Sequence, residues 1–521
     1  MRDTMSSRGW RVAVLAAAAG LLLAACGSSK GSSTGATSTT NAPTATTSAP
    51  SGRTSLVIGS VLAPPTLDIT TGSGAAIPAA LLNNVYETLI KATGPDQYAP
   101  ALAKSWTISD DGLTYTFALQ TGVTFHNGEA FSSKDVKFSF DNAQANVAAG
   151  KAPAIVAQTF APVASVAAPD ANTIVITLKQ RSRDFIYNLS QTGGVIVNEK
   201  ALPDVATHPV GTGPFQFDSF VTNASLKLKR YDGYWGTKPA LQTVEWRYIS
   251  DPKAMSDSIK SPNGVDIIDN LTPDLFKGFA GDSNYMTQNI VTNGETILAI
   301  NNLRAPLSDV RVRQAISYAI DKKAVNDIAE SGFGKIIGSH ASPNDPWFED
   351  LSNTYAFDPA KAKDLLKQAG VSGLKLTIQV PPVPYATAAA PIIQQELGDV
   401  GISVDLKNID FSLWIDQVFT KADYDLSIIS HVEARDVGLY GNPKYYWRYD
   451  NPQVQDLLRQ ADAAPTADAS NALYKQVLEQ INKDAVNDWL FELPGLTVAK
   501  KGISGFPTAA FSLSYDVTGV K

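Results

Sequence analysis

An α/β protein of two or three lobes is what this sequence predicts, and three observations predict it. Behind an N-terminal leader and a low-complexity stretch, 468 of the 521 residues remain (521 − 53). That is too many for one hydrophobic core, since chains beyond about 250–300 residues divide into domains. The first half of this remainder reads mostly as short strands bounded by turn formers, and the second half alternates strands with helices, the pattern of a parallel sheet.

The leader places Arg2, Arg8 and Arg11 ahead of an apolar run from Val12 to Ala25. Such a run is a signal peptide (residues 1–25), shorter than the roughly 20 apolar residues of a membrane-spanning helix. It closes on Leu23-Ala24-Ala25-Cys26, the only cysteine in the chain. Small residues ahead of that thiol resemble the bacterial lipoprotein processing box, which implies lipidation of Cys26. The alternative is an ordinary secretory signal with an incidental cysteine, and either one sends the protein out of the cytoplasm. Residues 26–53 are dominated by Ser, Thr, Gly, Ala and Pro, with Lys30 and Arg53 as the only charges, the composition of a disordered tether. Flexible chain of that length spans roughly 30 Å.

Formal charge is 43 − 50 = −7; losing Arg2, Arg8, Arg11 and Asp3 with the leader removes a net +2 and leaves −9. An acidic exterior argues against a nucleic-acid partner. With no cysteine beyond Cys26, neither a disulfide nor a Cys-based metal site is available, and stability must come from packing.

Strands are expected over Leu56–Ser60, Leu113–Leu119 after the Asp110-Asp111-Gly112 turn, Thr173–Leu178, Ser225–Arg230 and Val244–Ile249. A helix is expected over Ala79–Lys91, with Leu82, Val85, Tyr86 and Leu89 on one face. In the second half Asp309 caps a helix carrying Val312, Ala315, Ile316, Ala319 and Ile320, and Asp358-Pro359 opens another that Gly370 stops. Then follow strand Leu374–Val380, helix Ala388–Val400, strand Ile402–Asn408, helix Leu413–Thr420 and strand Tyr424–Ser430. Ligands of parallel sheets collect beyond the carboxyl ends of the strands, which points to Val380–Pro384, Asn408–Phe411 and Ser430–Asp436.

Several of these segments carry a family pattern. Leu102-Ala103-Lys104-Ser105-Trp106, Ser109-Asp110-Asp111-Gly112, Val123-Thr124-Phe125-His126-Asn127-Gly128 and Asp135-Val136-Lys137-Phe138-Ser139 come first. Pro209-Val210-Gly211-Thr212-Gly213-Pro214-Phe215, Tyr231-Asp232-Gly233-Tyr234-Trp235-Gly236 and Asp309-Val310-Arg311-Val312-Arg313-Gln314-Ala315 follow in order. Together they resemble the family 5 extracellular solute-binding proteins, the dipeptide, oligopeptide and nickel receptors of ABC importers. The resemblance implies a two-lobed periplasmic-binding-protein-like fold (type II, with an extra subdomain), with mixed sheets and a hinge. It places lobe I at 54–95, 206–295 and 490–521, the extra subdomain at 96–205 and lobe II at 296–489, with hinges near Glu295–Asn302 and Asp488–Gly495. The motifs themselves read as structural: Asp111-Gly112 suits a turn with positive φ, and Gly211, Gly213 and Pro214 punctuate a chain reversal. His126, without a partner at metal spacing, reads as a hydrogen-bonded structural residue.

Peptide receptors of this family hold a free α-amine with an Asp in a Gly-Trp-x-x-Asp pattern. Here Ser430-His431-Val432-Glu433-Ala434 stands in its place, so Ala434 replaces the Asp and the anchor does not carry across. The candidate ligand contacts are His431, Glu433, Arg435 and Asp436, four ionisable side chains in six residues; the alternative is a solvated loop paired within itself. If they hold a charged ligand, loss of Glu433 or Asp436 is expected to weaken binding by about 2–5 kcal/mol. His431 with Glu433 also invites a metal reading, but two ligands do not close a site, and no metal or cofactor is expected. Trp414 is either a cleft residue or core, the run Tyr445, Tyr446 and Trp447 is either cleft wall or interlobe packing, and Asn301 and Asn302 either offer amides to a ligand or form the hinge turn.

The expected protein is therefore a substrate-binding lipoprotein that captures a small polar solute, foremost a peptide, between two lobes. It hands the solute to ABC permease subunits at the membrane and performs no chemistry. A monomer on the outer side of the cell membrane, anchored through Cys26, is expected. A secreted hydrolase and a ligand sensor are the alternatives; no Gly-x-Ser-x-Gly elbow, His-Glu-x-x-His helix or phosphate-binding loop supports the first.

Overall fold

Strand Thr173–Leu178 illustrates how the sequence builds this protein. Its residues alternate, with Ile174, Ile176 and Leu178 buried, and it pairs antiparallel with Thr114–Leu119, whose Tyr115, Phe117 and Leu119 are buried in the same way. With Ala103–Ile108 and Val163–Asp170 they make a four-stranded antiparallel sheet. Helix Ser133–Ala148 packs its buried Val136 and Phe140 into the same core. It begins on a capping box in which Ser132 Oγ accepts the Lys134 N–H and the Asp135 carboxylate accepts the Ser132 N–H.

The computed structural model describes residues 52–72 and 74–521. The signal peptide, Cys26 and the tether up to residue 51 lie outside the described residues. Arg53, expected at the end of the tether, belongs to the folded body: its guanidinium pairs with Asp266 at 3.0 Å. No helix among the described residues is long and apolar enough to cross a membrane.

A large mixed sheet organises the rest. Its strand order is Ser403–Asn408, Lys375–Val380, Leu426–His431, Tyr285–Ile300, Asp488–Lys500, Ile267–Ile268, Ser55–Ser60, Thr243–Tyr248, Ser225–Arg230 and Phe215–Val221. Lys375–Val380 runs parallel to both Ser403–Asn408 and Leu426–His431, as the strand–helix alternation predicts. The opposite end clusters Leu56, Ile58, Leu228, Val244 and Trp246 in one core, while Leu298, Ile300, Ile378, Ile428 and Phe491 lie in another. Tyr285–Ile300 and Asp488–Lys500 run antiparallel and carry the chain between the two cores. Their pairing slips between Val291 and Glu295 and again between Thr296 and Ile297. Bulges of this kind bend and twist a ribbon locally. They fall in the segment expected to hinge.

Most second-half elements match expectation. Asp309 caps Val310–Ala319 by accepting the Arg311 N–H, Pro359 opens Pro359–Gln368, and Gly370 follows at φ 71°. The helix expected over Ala79–Lys91 is corrected to Ala76–Leu81, followed by turns and strand Ile90–Gly94. Leu82, Val85, Tyr86 and Leu89 are buried as expected, but backbone groups that a helix would use are engaged elsewhere. The carbonyls of Asn84 and Val85 accept the N–H groups of Phe215 and Gly213, and the Asn84 side chain bonds to Tyr515 O and Val517 N. Gly211 and Gly213 serve that contact rather than a chain reversal: an added Cβ would lie 2.0 Å and 2.5 Å from the carbonyl oxygens of Val85 and Asn84. The helix expected over Leu413–Thr420 starts at Phe411 and widens into a π-helix over Ile415–Thr420.

Candidate functional site

Arg435 is the residue around which the candidate site forms. It follows strand Leu426–His431 in the left-handed conformation (φ 64°), and its side chain is 5% exposed. The guanidinium pairs at 3.0 Å with Asp96, in the turn between the paired strands Ile90–Gly94 and Gln97–Pro100, and at 3.2 Å with Asp184, just ahead of helix Phe185–Leu189. It also lies over the Tyr187 ring, 4.0 Å from its centroid, with Trp347 at 5.5 Å. Burial penalises the charge, yet Asp184 and Asp96 hold the guanidinium protonated beyond its ordinary range. Asp96 is shared, since Arg183 pairs with it as well. Arg183 in turn donates to Asn471 Oδ1, and Arg181 donates to the carbonyls of Ala464 and Pro465.

Beside Arg435 lies a narrow crevice with a free volume of about 10 Å³. Gly94, Pro95 and Tyr187 form one wall, Asn344, Asp345, Ala434 and Arg435 another, and Asn293, Ala510 and Phe511 complete it. Larger hollows beside Gly370 and beside Tyr355 open broadly to solvent and are lined by no buried carboxylate, lysine or arginine among the described residues. In the crevice wall Asp345 is 7% exposed, and one carboxylate oxygen accepts the Ser342 N–H at 3.0 Å. Burial pushes its carboxyl up to about 7, against the pull of Arg435.

Close by is a row of charge that the apolar run of the strands does not advertise. Lys335, Glu492, Glu295 and His431 stand opposite one another on four adjacent strands, so their side chains share one face. Two carboxylates directly opposed inside a protein are destabilising unless neutralised. Burial pushes Glu492 up to about 9 and, reinforced by Asp436 and Asp345, lifts Glu295 well above the carboxylate range. Among the described residues Glu295 Oε2 and both Glu492 oxygens have no hydrogen-bond partner, the nearby Ser342 hydroxyl donating instead to Thr292 O. Four residues before Glu492 on the same strand, Asp488 is anchored by buried Lys322 at 3.0 Å.

The sequence-predicted residues divide. Arg435 lines the crevice, and His431 and Asp436 meet just behind it: His431 Nδ1 is 3.3 Å from one Asp436 oxygen and His340 Nε2 is 2.8 Å from the other. Burial opposes ionisation of Asp436, but the two imidazoles outweigh it and hold the carboxyl well below its usual range. Glu433 is exposed, and a backbone N–H next to it in the chain, that of Val432, bonds to it. Trp414 is buried among Phe411, Phe419 and Tyr446, with its indole N–H donating to Ser427 Oγ at 2.9 Å. Trp447 stacks on Tyr440 at 4.4 Å, and Tyr445 is half-buried against it. The Asn301 and Asn302 amides donate to the carbonyls of Ala422 and Tyr424 and of Ile300, Trp447 and Val486. None of Trp414, Tyr445, Trp447, Asn301 and Asn302 lines the crevice. His126 has the structural role expected of it: Nε2–H donates to Gly213 O at 2.9 Å, Nδ1 accepts the Gly211 N–H, and burial lowers its pKa to about 4.

Sequence reasoning missed Asp96, Asp184, Tyr187, Asn344, Asp345, Phe511 and His340. Of the unanticipated residues only Glu295 and Glu492 left a signal, as acids flanking the apolar runs Thr296–Ile300 and Trp489–Phe491.

A mixed sheet whose ribbon joins two cores, with a crevice closed by side chains from distant segments, is the arrangement of a periplasmic binding protein. The pattern of the bacterial extracellular solute-binding proteins, family 5, middle region, matches residues 97–454; the chain belongs to that family. It is 28% identical over 375 residues to the dipeptide-binding protein of Escherichia coli K12, covering 66% of this chain and 69% of that one. To the nickel-binding periplasmic protein of the same organism it is 26% identical over 485 residues, covering 84% and 89%. The periplasmic binding protein DppA of Helicobacter pylori, solved in complex with the peptide STSA, superposes with a TM-score of 0.75 at 24% identity, over 89% of this chain and 97% of that one.

Proposed function

We propose that this protein captures a short peptide in the crevice beside Arg435 and presents it to the permease of an ABC importer. The observation that carries this reading is the wall formed by Arg435, Asn344 and buried Asp345 against Tyr187 and Pro95, in a chain of the solute-binding family. Ala434 leaves the usual amine anchor without a carboxylate, and Asp345 supplies one from a different loop. A buried carboxyl pushed up to about 7 regains its charge when an ammonium docks against it, because the opposite charge offsets the cost of desolvation. Arg435 then faces the carboxyl-terminal or carbonyl end of the peptide. Relatives named for dipeptide binding support the solute class.

The free volume of the crevice, about 10 Å³, is room for about one water and far below the roughly 300–1,000 Å³ of ordinary ligand pockets. Loading therefore requires the walls to part, with lobe I at 54–95, 206–295 and 490–521, a subdomain at 96–205, and lobe II at 296–489. Motion at the bulged ribbon opens the crevice, and contacts from both walls select the closed form. The mature protein is a monomer held outside the cell membrane through lipidated Cys26, and it has no catalytic role.

Calorimetric titration with di- to tetrapeptides and their N-acetylated forms tests the proposal. Saturable peptide binding that acetylation weakens at least tenfold is expected. Absence of binding to any peptide, with uptake of peptides unchanged in cells lacking this chain, refutes it.

A further inference from the structure

We propose that His340, His431 and Asp436 form a binding site for a divalent first-row transition cation, zinc being the type ion, resident behind the crevice wall. Two of the four histidines in 521 residues converge here on one carboxylate, and one ligand atom from each of the three residues lies within 4.8 Å of the others. A metal bonded at about 2.0–2.2 Å to imidazole nitrogen and carboxylate oxygen needs donors spaced at roughly this scale. Small side-chain adjustments bring these three to it.

The donors are buried and badly served by one another. Among the described residues His340 Nε2 and Asp436 Oδ2 have no hydrogen-bond partner, so the 2.8 Å and 3.3 Å contacts around Asp436 are close but misaligned. Buried polar atoms are nearly always satisfied, and an orphaned pair needs an explanation. A cation at their centre satisfies both and offsets the excess of carboxyl groups at Glu295, Asp345 and Asp436.

The outer contacts are those a metal site requires. Metal-bound imidazoles donate their second nitrogen to a fixed oxygen, which sets the tautomer. His431 Nε2 faces the Tyr446 hydroxyl at 3.0 Å, and His340 Nδ1 faces the Tyr440 hydroxyl at 3.2 Å, the latter held by Asn487. Loading the metal leaves both distal nitrogens protonated; the looser approach of the Trp489 N–H to His340 Nδ1, at 3.4 Å, is the contact surrendered. Imidazole with carboxylate suits zinc, nickel, cobalt and copper rather than magnesium or calcium. Because Asp436 directly follows Arg435, the ion would brace the arginine that closes the crevice. The site does not depend on the solute being a peptide.

The test is titration of the chelator-treated full chain with Co²⁺ and Zn²⁺. Expected are one ion per chain, a visible cobalt spectrum of low-coordinate intensity, and displacement of cobalt by zinc. His340→Gln and His431→Gln abolish binding, exposed His208→Gln leaves it unchanged, and Tyr446→Phe weakens it about 10–100-fold, the usual effect of losing an outer-shell partner. A wild-type chain that yields no cobalt spectrum, or binding that survives in His431→Gln, overturns the assignment. The wild-type spectrum decides even if a histidine variant fails to fold.

Discussion

Replacing Arg435 with glutamine removes the charge that joins the two crevice walls. Breaking one member out of a fully buried ion pair costs about 3–5 kcal/mol, because the partner is left buried and uncompensated. Two features lower that figure. Asp96 keeps Arg183, and the Asp184 side chain is 25% exposed and accepts water once the arginine is gone. Loss of the contact with the Tyr187 ring adds about 0.5–1 kcal/mol. The net cost to the closed arrangement is therefore about 2–3 kcal/mol, which at 1.4 kcal/mol per decade is roughly a 30–150-fold fall in the ratio of closed to open forms. Single-molecule energy transfer between dyes at exposed Lys151 and Glu479 counts the two populations directly. Asp184→Asn should shift them less, and the double variant less than the sum, since both changes break one contact. If Arg435→Gln leaves the closed fraction unchanged, or the two substitutions are strictly additive, the guanidinium does not fasten the walls.

Glu492 supplies a pH test. Its carboxyl is raised from 4.5 to about 9 by burial, so between these values the folded chain holds a proton that the unfolded chain has lost. Stability is then full below about pH 4.5 and declines as pH rises toward 9, by up to about 1.4 kcal/mol per pH unit for this group. Denaturant melts at pH 6 and pH 8 should show that decline in the wild type and a shallower one in Glu492→Gln; an unchanged slope in the variant removes Glu492 as the cause. Trp414→Phe loses the bond to buried Ser427 and should cost about 1–3 kcal/mol of stability. Because Trp414 does not line the crevice, solute affinity should change less than threefold, and so should that of Glu433→Ala, whose side chain is exposed. A tenfold loss of affinity in either would return that residue to the site.

The amino-acid sequence determined the parts that depend on neighbours along the chain. Alternation at Ile174, Ile176 and Leu178, the caps at Asp309 and Asp358, and the strand–helix rhythm from Leu374 to Ser430 are local properties, and the sheet follows them. The family motifs were equally legible, and so was the loop after Leu426–His431 as a site of interest. Only the tertiary structure decided what those residues do. Apolar spacing alone made Ala79–Lys91 a helix, whereas Phe215 and Gly213, far along the chain, take its carbonyls. Trp414 and Asn302 have the chemistry of ligand contacts, yet long-range packing gives their polar atoms to Ser427 and to the backbone. Arg435 meets Asp96 and Asp184, and His431 meets His340, across separations in sequence that carry no periodic signal. Charge pairing is set by distance in space and by exclusion of water, and neither is written in the order of residues.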